Sequence, residues 1–221
     1  MHIINTLRPF LKKIFSDKTY YFLRSIYRKV KYPINETIEL VIHFLRYFSL
    51  YNPDYKINLN LGFGKEESDF FLSKLKQCEF YLEYGTGKST LHALKFNKKF
   101  IAVESDKNFY NYMKSKIDKH DIFRFVDFGI VKFASIPIFF NLRKNKLSKL
   151  AYKYNFDILD ELSLKDKVPD LILVDGRYRV LTGIALYKFF QKKQENFLII
   201  FDDYFKRDFY NILDKLFHIE K

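Results

Sequence analysis

The sequence predicts an α/β domain with a doubly wound, mainly parallel sheet and helices on both faces, preceded by a basic helical extension. Three observations lead to this prediction. From residue 66 onward, short apolar runs alternate with helical patterns, as in repeated βαβ units. An acidic residue stands at or just past the end of each apolar run. The 221 residues, 48% of them hydrophobic, suffice for one well-buried domain.

The alternation assigns five strands and five helices. The strands are predicted over 79–84, 99–104, 122–127, 170–175 and 196–202, and the helices over 66–77, 88–96, 107–117, 179–192 and 204–217. The pattern weakens over about 130–168, so this segment is interpreted as an insertion near the ligand-binding edge of the sheet. The domain is therefore expected to span residues 61–221.

The extension, residues 1–60, has a different pattern of charged and apolar residues. Residues 1–31 hold eight Lys and Arg residues against Asp17 alone, out of a formal net charge of +13. Apolar residues recur between them at helical spacing, which predicts one or two basic amphipathic helices, and a third is expected over about 35–49. These helices are suited to three roles: contact with an anionic membrane surface, docking on a partner or a second copy, or covering the sheet domain.

The composition indicates the cellular compartment in which the protein is expected. The single cysteine, Cys78, allows no intrachain disulfide, and no apolar run is long enough for a signal peptide or a membrane span. We therefore expect a cytoplasmic protein, with peripheral membrane contact through residues 1–31 as an alternative. Nucleic acid is not an expected partner because no binding motif accompanies the charge. The oligomeric state stays open.

The segment GTGKST, residues 85–90, follows the first predicted strand and opens a helix. Its GKS end is typical of a phosphate-binding loop, but such a loop needs a glycine where this chain has Leu82. Two glycines just after Glu83 instead let the backbone turn tightly beside a ligand, while the helix N-terminus presents free N–H groups. This arrangement suits a dinucleotide or a nucleoside with an amino-acid tail.

The next two strands carry acids at the same relative position. Glu104 ends the second strand about twenty residues past the glycines, where a carboxylate can accept hydrogen bonds from a ribose diol. Asp127 and Phe128 end the third strand, where a carboxylate and an aromatic ring can bind an adenine. Either acid alone is also found as an ordinary solvated residue after a strand. Together, they predict a site for one adenosine.

These motifs resemble the class I S-adenosylmethionine-dependent methyltransferases over about residues 66–215. EYGTGKST, VESD and RFVDFG resemble the family's loop, ribose and adenine motifs, and with VDGRYRV they are similar to a group of uncharacterised bacterial methyltransferases. The resemblance implies a Rossmann-like fold with S-adenosylmethionine as cofactor. It implies the cofactor-binding residues Glu83, Gly85, Gly87, Ser89, Glu104, Asp127 and Phe128.

Two departures accompany the resemblance. The family sheet usually closes with an antiparallel pair of strands after the fifth helix, and here we expect that hairpin to be short or missing. A dehydrogenase of similar fold would carry a third glycine where this chain has Thr90, so methyl transfer fits better than hydride transfer.

Acids after the last two strands indicate where the chemistry lies. Asp175, Asp202 and Asp203 are expected to converge beside the transferred methyl group. The arrangement is similar to catechol-type and caffeoyl-CoA-type O-methyltransferases, in which such residues hold a metal, although Asp203 replaces an amide. One hypothesis is therefore that all three bind Mg²⁺ or Ca²⁺, which would lower the pKa of an acceptor hydroxyl. The other is metal-free general-base catalysis, with the carboxylates paired to arginines.

We expect Asp175, Asp202 and Arg177 to be the catalytic residues. Arg177 and Arg179 are suited to hold an anionic acceptor group such as a phosphate, a carboxylate or an acidic sugar. The predicted function is methyl transfer, at oxygen, to a small-molecule or glycan acceptor. Two alternatives remain: a nucleotide-binding ATPase built on GTGKST, and a non-catalytic membrane-associated or scaffolding protein with a degenerate site.

Overall fold

The computed structural model describes residues 59–115, 122–129, 131–132, 136–137, 144–193 and 196–219, together with the helical positions Ile34, Thr37, Ile38 and Val41. Its helices are α1 (Lys65–Gln77), α2 (Lys88–Lys95), α3 (Lys107–Ser115), α4 (Lys144–Leu164) and α5 (Arg179–Phe190). Its strands are β1 (Phe80–Tyr84), β2 (Lys99–Glu104), β3 (Phe123–Phe125), β4 (Val131–Lys132), β5 (Ile136–Pro137), β6 (Leu171–Val174) and β7 (Leu198–Phe201). Two 3₁₀ segments, Tyr204–Lys206 and Asp208–Lys215, follow β7.

The main sheet has the order β3-β2-β1-β6-β7, and all its pairings are parallel. The chain runs outward from β1 to β3 and then crosses back to β6, so the strand order reverses between β1 and β6. Tyr84 pairs with Val103 on one side and Val174 on the other, which aligns the carboxyl ends of the three central strands. The predicted doubly wound parallel sheet is confirmed, and its switch point is the place where such sheets bind ligands.

The central strands are apolar on both faces because helices cover both. Every residue of β1 and β6 is buried, as is typical of a parallel sheet between two helical layers. Leu82 and Ile172 pack with α4 and α5 on one face. Tyr81 and Leu173 pack with α1, α2 and α3 on the other face.

Half of the segment predicted as an insertion is a core helix. Helix α4 has 21 residues and buries Leu147, Tyr154, Ile158 and Leu162 against the sheet. It carries the chain from the edge strand β3 back to β6, which is the crossover that a doubly wound sheet requires. Lysines interleaved with its apolar face mask the helical spacing in the sequence. Strands β4 and β5 form a separate antiparallel pair before it.

The structure tests the prediction for the C-terminal end of the chain but not the one for residues 1–31. The helix predicted over 204–217 is instead two 3₁₀ segments, in which Tyr204, Tyr210 and Leu213 form a small cluster with Val180 of α5. No antiparallel strand joins the main sheet within the described residues. The helices predicted in residues 1–31 lie outside the described residues, so their role stays a prediction.

None of the helices in the described part of the chain has the length and hydrophobicity that crossing a membrane requires.

Candidate functional site

Two adjoining cavities lie at the carboxyl edge of the sheet, around the switch point between β1 and β6. The larger has a volume of about 1030 Å³ and is lined by the ends of the strands, the start of α5 and the second 3₁₀ segment. The smaller, about 290 Å³, is lined by residues 61–63 and the first residues of α2. Phe109, Asp175 and Asp202 line both cavities. We call the two together the cleft.

Most of the predicted site residues meet in this cleft. The larger cavity is lined by Gly85, Glu104, Asp175, Arg177, Asp202 and Asp203, and the smaller by Gly87 and Ser89. Glu83, Asp127 and Phe128 line neither cavity. Sequence reasoning missed other residues that line the larger cavity, among them Thr86, Ser105, Asp106, Phe109, Phe209 and Ile212.

The loop between β1 and α2 has two different sides. Gly85 has a φ of +96°, and a Cβ there would lie 2.9 Å from the backbone of Gly176 after β6. A Cβ on Gly87 would meet no atom within 4 Å. The loop is thus packed against the neighbouring strand end on one side and leaves room for a ligand on the other. Only residues 85–87 separate the two elements, too few to curl around a phosphate.

Glu83 ties β1 to the first turn of α2. Its carboxylate is fully buried and accepts hydrogen bonds from the hydroxyls of Ser89 and Thr90, the latter at 2.8 Å. The Thr90 hydroxyl in turn accepts a bond of 2.8 Å from the Gly87 N–H. Burial raises the pKa of Glu83 to about 8, although both hydroxyl bonds act in the opposite direction. Glu83 is therefore a framework residue of the loop, not a wall of the cleft.

Glu104 is buried at the end of β2 and fixes the same loop from the other side. Its carboxylate accepts bonds from the Thr86 N–H at 3.0 Å and the Thr86 hydroxyl at 2.5 Å. The N–H groups of Ser105 and Asp106 donate to the other oxygen, at 2.6 and 2.8 Å. Burial raises the pKa of Glu104, against these four bonds. The Thr86 hydroxyl can rotate away, so a hydroxyl of a ligand can take its place.

The adenine side of the predicted site differs from the expectation. Strand β3 ends at Phe125, and Val126 and Phe128 then point into the core, where Phe128 packs against Tyr154 with ring centroids 5.9 Å apart. Asp127 lies between them and is exposed, and its Oδ1 accepts a bond of 2.7 Å from the Gly129 N–H. Neither residue lines the two cavities, and their contact with an adenine stays a prediction.

The turn after β2 lines the cleft instead. Ser105 and Asp106 follow Glu104, and Phe109 lies in the first turn of α3, where its ring lines both cavities. In the sequence, the signal that could have predicted this role of Phe109 is an aromatic residue in the first helical turn after the acid that ends the strand.

Asp175, Asp202 and Asp203 converge as predicted, but an arginine joins them. Arg179 Nη2 lies 2.7 Å from Asp175 Oδ1, and its Nη1 lies 3.2 Å from Asp202 Oδ2 and 4.0 Å from Asp203 Oδ2. Arg207 adds a second ion pair to Asp203, at 3.1 Å. The Arg179 side chain is only 11% exposed, so its guanidinium stands among the carboxylates and not in solvent.

The predicted metal site gains no support from this geometry. Arg179 lies between Asp175, Asp202 and Asp203, in the position that a shared cation would take. No group of three His, Cys, Asp or Glu side chains in the described part of the chain is arranged to hold a metal ion. The alternative of carboxylates paired to arginines describes what is observed.

Asp175 has an unusual environment for a carboxylate that contacts an arginine. Its side chain is 43% exposed, yet the walls of the cleft displace much of the surrounding water. This burial raises the pKa of Asp175 to about 7; Arg179 lowers it, and the neighbouring Asp202 raises it further. A carboxyl group of this kind exists in both protonation states near neutral pH, as a general base requires.

Arg177 has no comparable partner. Its side chain lines the larger cavity, and among the described residues it makes no ion pair or hydrogen bond with a carboxylate. Burial, and then the nearby charges of Arg179 and Arg207, lower its pKa. Tyr178 follows with a left-handed φ of +54°, a strained conformation of the kind that clusters at functional sites.

The fold is similar to that of a known protein. A methyltransferase-like protein from Silicibacter pomeroyi DSS-3 matches with a TM-score of 0.59 and 22% sequence identity, over 71% of this chain and 79% of that one. No protein-family model matches the sequence, and no curated protein is significantly similar to it. At this identity, the likeness confirms the Rossmann-like fold that the motifs predict.

Proposed function

We propose that this protein is an S-adenosylmethionine-dependent methyltransferase that acts on an oxygen of a small-molecule or glycan acceptor. The observation that carries the proposal is the cleft at the switch point, onto which the two-glycine loop, Glu104 and Asp175 converge. The likeness of the fold to a methyltransferase-like protein supports the same assignment.

The side chains of the cleft fit this cofactor, which supplies a methyl group on a positively charged sulfur. Glu104 would accept bonds from the ribose hydroxyls once the Thr86 hydroxyl turns away. The open space over Gly87 would take the amino-acid part, and Phe109 offers an aromatic surface. Asp175 lines both cavities, where a carboxylate favours a cationic ligand.

Asp175 is the general base in this proposal. Arg179 binds its Oδ1 at 2.7 Å and thereby fixes the orientation of the carboxylate. Oδ2 would accept the proton of the acceptor hydroxyl, for which a pKa of about 7 is suited. Asp202 binds the same arginine as Asp175, and its carboxylate would provide a negative charge next to the reacting oxygen. The guanidinium thus lies among the acids to which the metal hypothesis assigned a divalent cation.

Ligand binding separates this proposal from its alternatives. Calorimetry should detect S-adenosylhomocysteine and neither ATP nor NAD. Binding of ATP alone would favour the ATPase alternative, although the loop of three residues argues against it. Binding of none would favour a degenerate, non-catalytic site.

Two variants test the site by different physical routes. Glu104→Gln removes the charge that accepts the ribose hydroxyls, and S-adenosylhomocysteine should bind about tenfold more weakly or worse. Gly87→Val fills the open space, since a Cβ there meets no atom within 4 Å, and should abolish binding. Asp160→Asn on the exposed face of α4 is the control. If both site variants stay folded in thermal unfolding and bind normally, the assigned site is wrong.

A further inference from the structure

We infer that Arg177 binds an oxyanion of the methyl acceptor, so that the substrate is a hydroxyl compound carrying a carboxylate or a phosphate near the methylated oxygen. The inference rests on the proposed function and adds the chemical class of the acceptor.

The charge pairing in the cleft singles out Arg177. Arg179 is held by Asp175 and Asp202, and Arg207 is held by Asp203. Arg177 lines the same cavity, yet no described carboxylate pairs with it. Among these three guanidinium groups, it is therefore the one available to an incoming anion.

An unpaired cation in this position is costly, and an anion would offset the cost. The walls of the cleft and the charges of Arg179 and Arg207 lower the pKa of Arg177, because its charged form is partly shielded from water and stands beside other cations. A carboxylate or phosphate would supply two acceptor oxygens for the planar guanidinium fork. The protein thus holds a desolvated donor in advance of its ligand.

The distance between Arg177 and the proposed base matches a small acceptor. Arg177 lies two residues after Asp175, so their Cα atoms are at most about 7 Å apart. Both side chains line the larger cavity. A sugar acid or a sugar phosphate is long enough to place a hydroxyl at Asp175 and its anionic group at Arg177.

The carboxylates of the cleft restrict where an anion can bind. Glu104, Asp175 and Asp202 favour positive charge and suit the cofactor. Among the arginines of the larger cavity, Arg177 is the one without a described carboxylate partner, so an anionic acceptor in this cavity is attracted to it. The acceptor would therefore bind in one orientation. A neutral analogue would lose this orienting contact.

Calorimetry in saturating S-adenosylhomocysteine tests the inference with four probes: glucuronate, glucose 6-phosphate, inorganic phosphate and neutral glucose. At least one of the anions should bind, glucose should not, and the preferred anion identifies a carboxylate or a phosphate as the recognised group. Arg177→Gln should weaken that binding about tenfold or more, whereas Arg177→Lys should retain part of it. Lys146→Gln on the exposed surface of α4 is the control. Equal binding of anions by the wild type and Arg177→Gln, or no anion binding, overturns the inference.

A second measurement excludes a different role for the same guanidinium. If Arg177 holds the carboxylate of the cofactor, Arg177→Gln will weaken S-adenosylhomocysteine but not 5′-methylthioadenosine, which lacks the amino-acid part. That result would also overturn the inference. Failure of the proposed function is recognised separately, because the wild-type protein would then bind no S-adenosylhomocysteine.

Discussion

The two halves of the carboxyl edge use the same residue type in different ways. In the β1–β2 half, Glu83 and Glu104 are buried and accept hydrogen bonds from hydroxyl and backbone donors. In the β6–β7 half, Asp175 and Asp202 face the cleft and bind a guanidinium. An acidic residue at the end of a strand can therefore either hold a loop in place or face a ligand and take part in the reaction. The donors around it distinguish the two roles.

The same comparison distinguishes the hydrogen bonds that hold the site together from the ion pairs that can rearrange when a ligand binds. Neutral donors fix the loop at 85–87 from within the protein, where water does not compete. The ion pairs of Arg179 lie at an open cavity, where a charged ligand can exchange with them. The first half is expected to govern stability and cofactor binding, and the second half acceptor binding and catalysis.

The largest expected effect is in the framework half. Because burial raises the pKa of Glu83 to about 8, the folded protein keeps a proton that the unfolded chain releases above its ordinary pKa near 4.5. The stability contributed by this proton is complete at low pH and is lost as the pH rises towards 8. Between about pH 5 and 8, the wild type should lose up to about 4 kcal/mol relative to Glu83→Gln, at about 1.4 kcal/mol per pKa unit.

Urea denaturation of both proteins across this range measures the difference. Glu161→Gln is the matched control: Arg124 lowers the pKa of Glu161 to about 2, so its contribution is constant above about pH 5. A difference between the wild type and Glu83→Gln that does not change with pH would show that Glu83 is ionised in the folded protein.

The second effect concerns the ion-pair half. Arg179→Gln leaves Asp175, Asp202 and Asp203 without their shared cation and should lower the free energy of unfolding by about 2 kcal/mol, less than for a fully buried pair. The variant should then be stabilised by millimolar Ca²⁺ or Mg²⁺, which can replace the guanidinium. Thermal unfolding with and without the cation measures this, with Arg207→Gln as control. Equal stabilisation of the wild type would restore the metal hypothesis.

The smallest effect is expected at Asp127, which sequence reasoning placed at the adenine. Its side chain is exposed and bonds only to the Gly129 N–H in the contacts described. Asp127→Ala should change the free energy of unfolding by less than about 0.5 kcal/mol and leave the affinity for S-adenosylhomocysteine within about twofold. A loss as large as that of Glu104→Gln would return Asp127 to the cofactor site.

The sequence predicted the sheet well because its strands are short apolar runs buried on both faces. All five sheet strands lie inside the predicted ranges, and Asp175, Asp202 and Glu104 meet at the edge where strand ends must meet. The crossover helix α4 was assigned to an insertion and not to the core, because its lysines interrupt the apolar spacing. The packing of Phe128 was not predictable, because it depends on where β3 ends. Pairing of the acids with arginines was one of two open alternatives, since the choice depends on which acids surround one guanidinium.

The contact between Gly85 and Gly176 has a mechanical consequence. The loops that follow β1 and β6 touch backbone to backbone, with no side chain between them to absorb a displacement. A ligand that shifts one loop must therefore shift the other. The loops that carry Thr86 and Arg177 are therefore expected to shift together, and a change designed in one loop must allow for the position of the other.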